Sequence, residues 1–201
     1  MGRAISKNEV RGTASGVFFM AFFGTAWAGI GMGGLQGWGS NWVLPIVLLI
    51  AIALLVSCFM LVAVSRGLSK SVSEEGARQG KRIGIGFGIT FGAEGFLIAM
   101  ASIICNATDH FEYFFPVMAL IVGVHFFPLA RLFRVNVHYV TGTLICLLGI
   151  VTFFIPEIMH IGQHEIIASW AFLGFGTALI LWGTGFTIFL MGQRLLRMAK
   201  V

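Results

Sequence analysis

The sequence predicts an all-α fold: a polytopic membrane bundle of six transmembrane helices with both termini in the cytosol. Three observations predict it. Of 201 residues, 58% are hydrophobic and only 10% charged, whereas a soluble domain carries about 25% charged residues. The apolar residues gather into six runs, most of them long enough to cross a hydrocarbon core about 30 Å thick. The thirteen Lys and Arg residues sit only at the two termini and between alternate runs, which is the positive-inside pattern. No soluble fold of this length buries so much apolar side chain, so lipid must act as solvent for part of it. No segment is long and polar enough to form a second domain, and residues 1–201 read as one membrane domain.

The first span, about 15–35, follows Arg3, Lys7 and Arg11. A basic start followed by Ala26-Trp27-Ala28 mimics a secretory signal with a cleavage site. The start at Met1 and the lack of anything soluble to export argue against that reading. The uncharged segment 36–42 carries Trp38 and Trp42, residues that anchor at the membrane interface. The second span, about 43–64, has Pro45 near its first turn, where a missing N–H costs little. It is almost wholly apolar and is expected to lie against lipid.

Residues 65–82 are the longest polar segment, with Arg66, Lys70, Arg78, Lys81 and Arg82 against Glu74 and Glu75. Ser71 and Glu74 fit a capping box for a short surface helix. A solvated basic loop is the simpler expectation. The third span, about 84–105, leaves this loop and carries one carboxylate, Glu94. The fourth, about 113–130, ends at Arg131 and Arg134. The fifth runs over about 137–155. Segment 156–165 has two acids, two histidines and no Lys or Arg. The sixth span, about 166–191, is followed by Arg194, Arg197 and Lys200. With the N-terminus inside, all thirteen basic residues fall on the cytosolic side and the three outer loops have none. This places the chain in a cell membrane as a multi-pass protein.

Small residues predict where helices touch. In the third span Gly84, Gly88 and Gly92, continued by Gly95, Ala99 and Ser102, share one narrow face suited to close contact. Glu94 points about 120° from the centre of that stripe at 100° per residue. The helix therefore reads as having two faces turned from lipid. Ala21, Thr25, Gly29 and Gly33 form a similar stripe on the first span, and Gly174, Ala178 and Gly185 a looser one on the sixth. Such stripes also suit a homo-oligomer.

Glu94 lies eleven residues beyond Ile83, roughly 16 Å into the membrane at ~1.5 Å per residue. A charge at that depth costs on the order of 3 kcal/mol or more, and such residues face a bundle interior or a wet cavity. His125 lies twelve residues in from Tyr113, roughly 18 Å from the opposite surface. A Glu and a His at one level can share a proton or hold a cation between them. The plainer alternative is that His125 donates to a backbone carbonyl freed by Pro128 and Glu94 is a neutral acid at a packing contact.

On the fifth span Asn136, Tyr139, Thr143 and Cys146 fall on one helical face. Tyr139 and Thr143 would line a cavity, or else make interhelical hydrogen bonds. Trp182 is too deep for an interface anchor, so it faces the interior as a site residue or as packing. On the outer side, His160 and His164 are spaced i, i+4 and would share a face of a short helix. With His110, Glu165, Asp109 and Glu157 nearby they make a candidate metal or pH-sensing group; a solvated outer surface is the plainer alternative. Cys58, Cys105 and Cys146 lie in apolar spans and read as small buried hydrophobes.

The net charge of +5 is spread over short loops, so it does not form a nucleic-acid face. HExxH, GxSxG and P-loop patterns are absent, and no cofactor is expected. The segment Gly123-Val-His125-Phe-Phe-Pro128-Leu-Ala130-Arg-Leu-Phe133, followed by Tyr139-Val-Thr-Gly142, resembles one in small uncharacterised bacterial six-span membrane proteins. Glu94 upstream and Leu181-Trp182-Gly183 in the last span extend the resemblance. It implies a membrane fold and a bacterial inner membrane, and brings no activity with it.

The function expected is that of a small transporter or channel-like protein. Glu94 would bind a proton or cation, with His125 as its partner. A sensor or assembly subunit that reads outside pH or metal through His110, His160 and His164 is the second reading, and an intramembrane enzyme the third. The partners expected are the lipid bilayer, a small molecule or ion, and a second copy of the chain.

Overall fold

The computed structural model describes residues 7–67 and 74–198. Six α-helices follow in chain order: α1 (Lys7–Gly34), α2 (Ser40–Ser65), α3 (Glu74–Ala107), α4 (Phe114–Phe133), α5 (Val137–Thr152) and α6 (Ala168–Met198). A single 3-10 turn, Phe111–Tyr113, leads into α4, and a hairpin of β1 (Ile158–Ile161) and β2 (His164–Ile167) joins α5 to α6. α1, α2, α3, α6 and α4 with its leading turn are long and apolar enough to cross a membrane. α5 has 16 residues, a length of about 24 Å. It is apolar but falls short of the span expected for it.

The helices overrun the expected spans at their polar ends. The segment expected as a loop to residue 82 is helical from Glu74 onward, so α3 is continuous through Lys81 and Arg82. Its 34 residues measure about 51 Å, well beyond a hydrocarbon core. The Glu, Ala, Arg, Gln and Lys residues of this stretch have high helix propensity and outweigh Gly76 and Gly80, so the backbone bonds run on past the apolar part. Ser71, the cap proposed for a surface helix, lies outside the described residues. α2 likewise begins at Ser40, which leaves Pro45 inside the helix rather than in its first turn.

The tightest contact joins α1 to α6, which run antiparallel. Among the buried positions of α1, Val10, Ala14, Val17, Ala21, Gly24, Ala28 and Gly31 run at spacings of four and three, with Met20, Trp27 and Gly34 buried beside them. On α6 the matching set is Ala171, Gly174, Ala178, Leu181, Gly185, Ile188 and Gly192. A heptad of this kind winds two helices into a left-handed supercoil. Small residues let the backbones approach: a Cβ added at Gly174 would run into the main chain of Gly31, with the Trp27 carbonyl oxygen only 2.8 Å away. Gly29 and Gly33, expected in the α1 stripe, point to open space instead.

α2 lies along α1 and touches α6, with its remaining surface exposed as expected for a lipid-facing helix. α4 and α5 form a second close pair, in which a Cβ at Gly123 would sit 3.0 Å from the Gly142 carbonyl oxygen. α5 joins that pair to α6. α3 is the least buried of the long helices. Its main helix partner is α4. Two ring contacts tie it to α1, Phe19 to Phe87 at 5.5 Å and Phe23 to Phe91 at 6.0 Å between centroids.

The face of α3 that packs is the reverse of the one expected. Ile83, Phe87, Thr90, Glu94, Ile98, Ala101 and Cys105 turn inward at i, i+3/i+4 spacing, with Glu94 and Cys105 buried. Cβ atoms at Gly84, Gly88, Gly92 and Gly95 would meet nothing. The carboxylate therefore sits on the packing face, and the glycine stripe faces outward beside Ile85, Ile89 and Phe96.

Candidate functional site

α3, α4 and α5 contribute Glu94, His125 and His138, of which Glu94 and His138 are buried and His125 partly buried. Glu94, at the middle of the inward face of α3, is 9% exposed. Its Oε1 lies 3.4 Å from Nδ1 of His125 on α4. Its Oε2 is buried and makes no hydrogen bond. The Glu/His pair expected from depth alone is therefore brought together. At 3.4 Å the contact is a close charge-pair distance rather than a strong hydrogen bond.

Nδ1 of His125 is also hydrogen-bonded to the Val122 carbonyl oxygen, one turn back on α4. A carbonyl can only accept, so this bond assigns the proton to Nδ1 in the neutral ring. That N–H then points to Val122 with Glu94 as a second, longer acceptor. The carbonyl freed by Pro128 is that of Val124, four residues earlier. The backbone partner of His125 is thus a different group from the one the sequence suggested.

His138 is the residue that sequence reasoning missed. It sits in the first turn of α5, is 5% exposed, and its Nδ1 is buried without a hydrogen-bond partner. Phe126 packs against both imidazoles, 4.5 Å from the His125 ring and 5.6 Å from the His138 ring between centroids. His138 adjoins Tyr139 in sequence, and a signal for it was available. It begins the spacing His138, Thr141, Ile145, Gly149, Thr152, which is the buried face of α5.

The other expected cavity residues turn away. Tyr139 is exposed and lines a shallow surface recess with Phe127, Pro128 and Arg131. Thr143 is exposed, as is Asn136. The polar face that was expected to line a cavity is thus the outer face of α5, because the small and polar residues at His138, Thr141 and Gly142 meet α4 and α6 instead. Trp182 does face the interior, where its ring packs over Gly24. Its Nε1 makes no hydrogen bond.

Between α5 and α6 the Thr141 and Thr184 hydroxyls are 2.7 Å apart and buried. Each also lies within hydrogen-bond distance of the carbonyl one turn back, Val137 and Ile180 respectively. Thr184→Val is expected to lower the unfolding free energy by about 0.6 kcal/mol, the mean for interhelical hydrogen bonds in membrane proteins. Denaturant titration of Thr141→Val, Thr184→Val and the double variant in detergent checks this. The double variant should cost less than the sum of the singles, since one shared bond is lost.

The outer histidines occupy different surroundings from those expected. Segment 158–167 is a hairpin, not a helix, turned by Gly162 at φ +64° and Gln163. Glycine first in a two-residue turn is the type II′ arrangement. In the register His160 faces Glu165 and Ile161 faces His164. His160 and Glu165 thus share one face and His164 takes the other, so the helical i, i+4 pairing is lost. His110 pairs with Glu112 at 2.9 Å on the turn before α4. Among the described residues no three His, Cys, Asp or Glu side chains are grouped to hold a metal ion.

No protein-family model matches the chain, and no curated protein or solved structure matches it either.

Proposed function

We propose that the chain spans a cell membrane six times, with both termini in the cytosol, and that it moves protons or small cations through the Glu94–His125 pair. The observation that carries this reading is the buried carboxylate itself. One of its oxygens lies 3.4 Å from an imidazole nitrogen and the other makes no hydrogen bond. An isolated ionised carboxylate in an apolar enclosure is expensive, so Oε2 is a seat for a proton or a cation. Loading and unloading that seat changes the charge at mid-membrane, which is the means by which a gradient can be coupled to substrate movement.

His138 supports the same reading. It adds a second buried imidazole on the side of His125 that leads toward the basic end of the bundle, with Phe126 between them. The carboxylate meets one imidazole directly, and the second shares Phe126 with the first.

Purified protein reconstituted into liposomes, with a pH-sensitive dye inside and an imposed potential, tests the proposal. The wild-type chain should pass protons or monovalent cations above the rate of empty vesicles. Glu94→Gln keeps the size and polarity of the side chain but holds no titrating proton, and should reduce that rate at least tenfold. Equal rates for the two proteins, or no flux above empty vesicles, would sink the reading.

A further inference from the structure

The bundle end that carries the hairpin holds a recess unrelated to Glu94. It has a volume of about 290 Å³ and lies where the turn before α4, the end of α5, the start of the hairpin and the start of α6 converge. Two carboxylates reach it from separate segments, Glu112 from the turn and Glu157 from just before β1. Tyr113 and Phe153 form an aromatic wall, with rings 5.9 Å apart. Two hydroxyls border it. That of Thr152 already donates to the Leu148 carbonyl at 2.7 Å. Ser169 is 8% exposed, and its hydroxyl finds no hydrogen-bond partner among the described residues.

Unlike the sealed polar atoms of the core, the Ser169 hydroxyl keeps access to solvent and is free to donate or accept. Here it borders a space already lined by two acids. Glu112 is engaged by His110 at 2.9 Å and by its own backbone N–H, which hold it as a carboxylate at the edge of the recess. Asp109 and Glu165 lie at the same end, and among the described residues no Lys or Arg does. The local field therefore favours cations.

We infer that this recess binds a small organic cation, a primary ammonium compound. Two carboxylates supply the charge. Two aromatic rings supply faces on which an ammonium group is held by cation–π attraction, and alkyl carbon packs there as well. Ser169 Oγ accepts one N–H. A metal ion fits less well, because the aromatic wall takes up positions that oxygen ligands would need, and no three metal-binding side chains gather at this end among the described residues. The inference does not depend on the Glu94 reading: a binding site here stands whether or not the protein conducts protons.

Titration calorimetry of ethylammonium into the full chain in detergent, at constant ionic strength, tests it. Saturable binding is expected for the wild type. Glu157→Gln should weaken it at least tenfold, and Phe153→Leu and Ser169→Ala by about threefold or more each. Glu157 and Phe153 are exposed, so their variants should keep the wild-type melting temperature. Glu165→Gln removes a charge from the same end but outside the recess, and should leave affinity within twofold. The inference is overturned by no saturable binding, by unchanged affinity in Glu157→Gln, or by equal weakening in Glu165→Gln, which would mean diffuse surface charge. Displacement of ethylammonium by a lower concentration of calcium would also overturn it, in favour of a metal site.

Discussion

Gly174→Ala is expected to destabilise the folded chain by about 3 kcal/mol, whereas Gly88→Ala is expected to stabilise it by about 0.5–1 kcal/mol. Both replace a helical glycine by the best helix former, so propensity favours each equally. The surroundings decide the sign. A methyl at Gly174 meets the backbone of Gly31 on one side and the Trp27 carbonyl on the other. Main chain cannot rotate out of the way as a side chain can, so the α1–α6 seam must open along its length. A methyl at Gly88 meets nothing within contact distance. Melting temperatures in detergent check the pair. For a chain of this size about 3 kcal/mol corresponds to a fall of about 6–12 °C. Gly174→Leu should leave no folded fraction. A fall in Gly88→Ala as large as in Gly174→Ala would mean that the outward glycine face is in contact after all.

The second large effect concerns the buried pair. His125→Leu is expected to cost about 3 kcal/mol, because it strips Glu94 of its one polar neighbour and leaves both carboxylate oxygens stranded. Glu94→Leu should cost little, since His125 keeps its bond to the Val122 carbonyl. Glu94→Leu with His125→Leu should restore stability to within about 1 kcal/mol of the wild type, or raise it. Well-packed apolar residues commonly replace a buried ionic pair without loss. Denaturant unfolding of the four proteins as a double-mutant cycle reads the coupling directly. The order matters more than the values. If the double variant is less stable than His125→Leu alone, the imidazole is holding something other than the carboxylate.

The helices were legible from the sequence and their rotations were not. Apolar runs broken by basic clusters predict where helices are, and the six found lie on the six expected runs. The rotation of a soluble helix is written in its hydrophobic stripe, but lipid is as apolar as the interior of the bundle. α3 shows the difficulty. It has small residues on one face and Glu94, Thr90 and Cys105 on another, and either set suits a helix contact. What separates them is visible only beside α4, where Glu94 meets His125 and the glycines are left outside. The same limit turned Tyr139 and Thr143 the wrong way and hid His138, one position along.

Other features are plain in the sequence itself. The alternation Ile158-Met-His160-Ile-Gly162-Gln-His164-Glu-Ile-Ile167 places a glycine first in a two-residue break between apolar runs, which is a hairpin signal. The i, i+4 spacing of His160 and His164 suits a helix, but the β-branched residues of the segment favour strand. On α1 the repeat Ala14, Ala21, Ala28 with Val10, Val17, Gly24 and Gly31 was as plain as the stripe Ala21, Thr25, Gly29, Gly33. A seven-residue period keeps one face on a partner over the full length of a helix, whereas a strict four-residue stripe drifts around it.

The α1–α6 seam has a consequence in time. Gly31 and Gly174 touch, yet 143 positions separate them along the chain (174 − 31). A ribosome working at about 5–20 residues per second needs roughly 7–30 seconds to cover that distance. For that interval the seam face of α1 has no α6 to close on, because its partner does not yet exist. Assembly of this bundle is therefore gated by the arrival of its sixth helix, and a nascent chain halted before residue 168 would hold a row of small residues with nothing to close on.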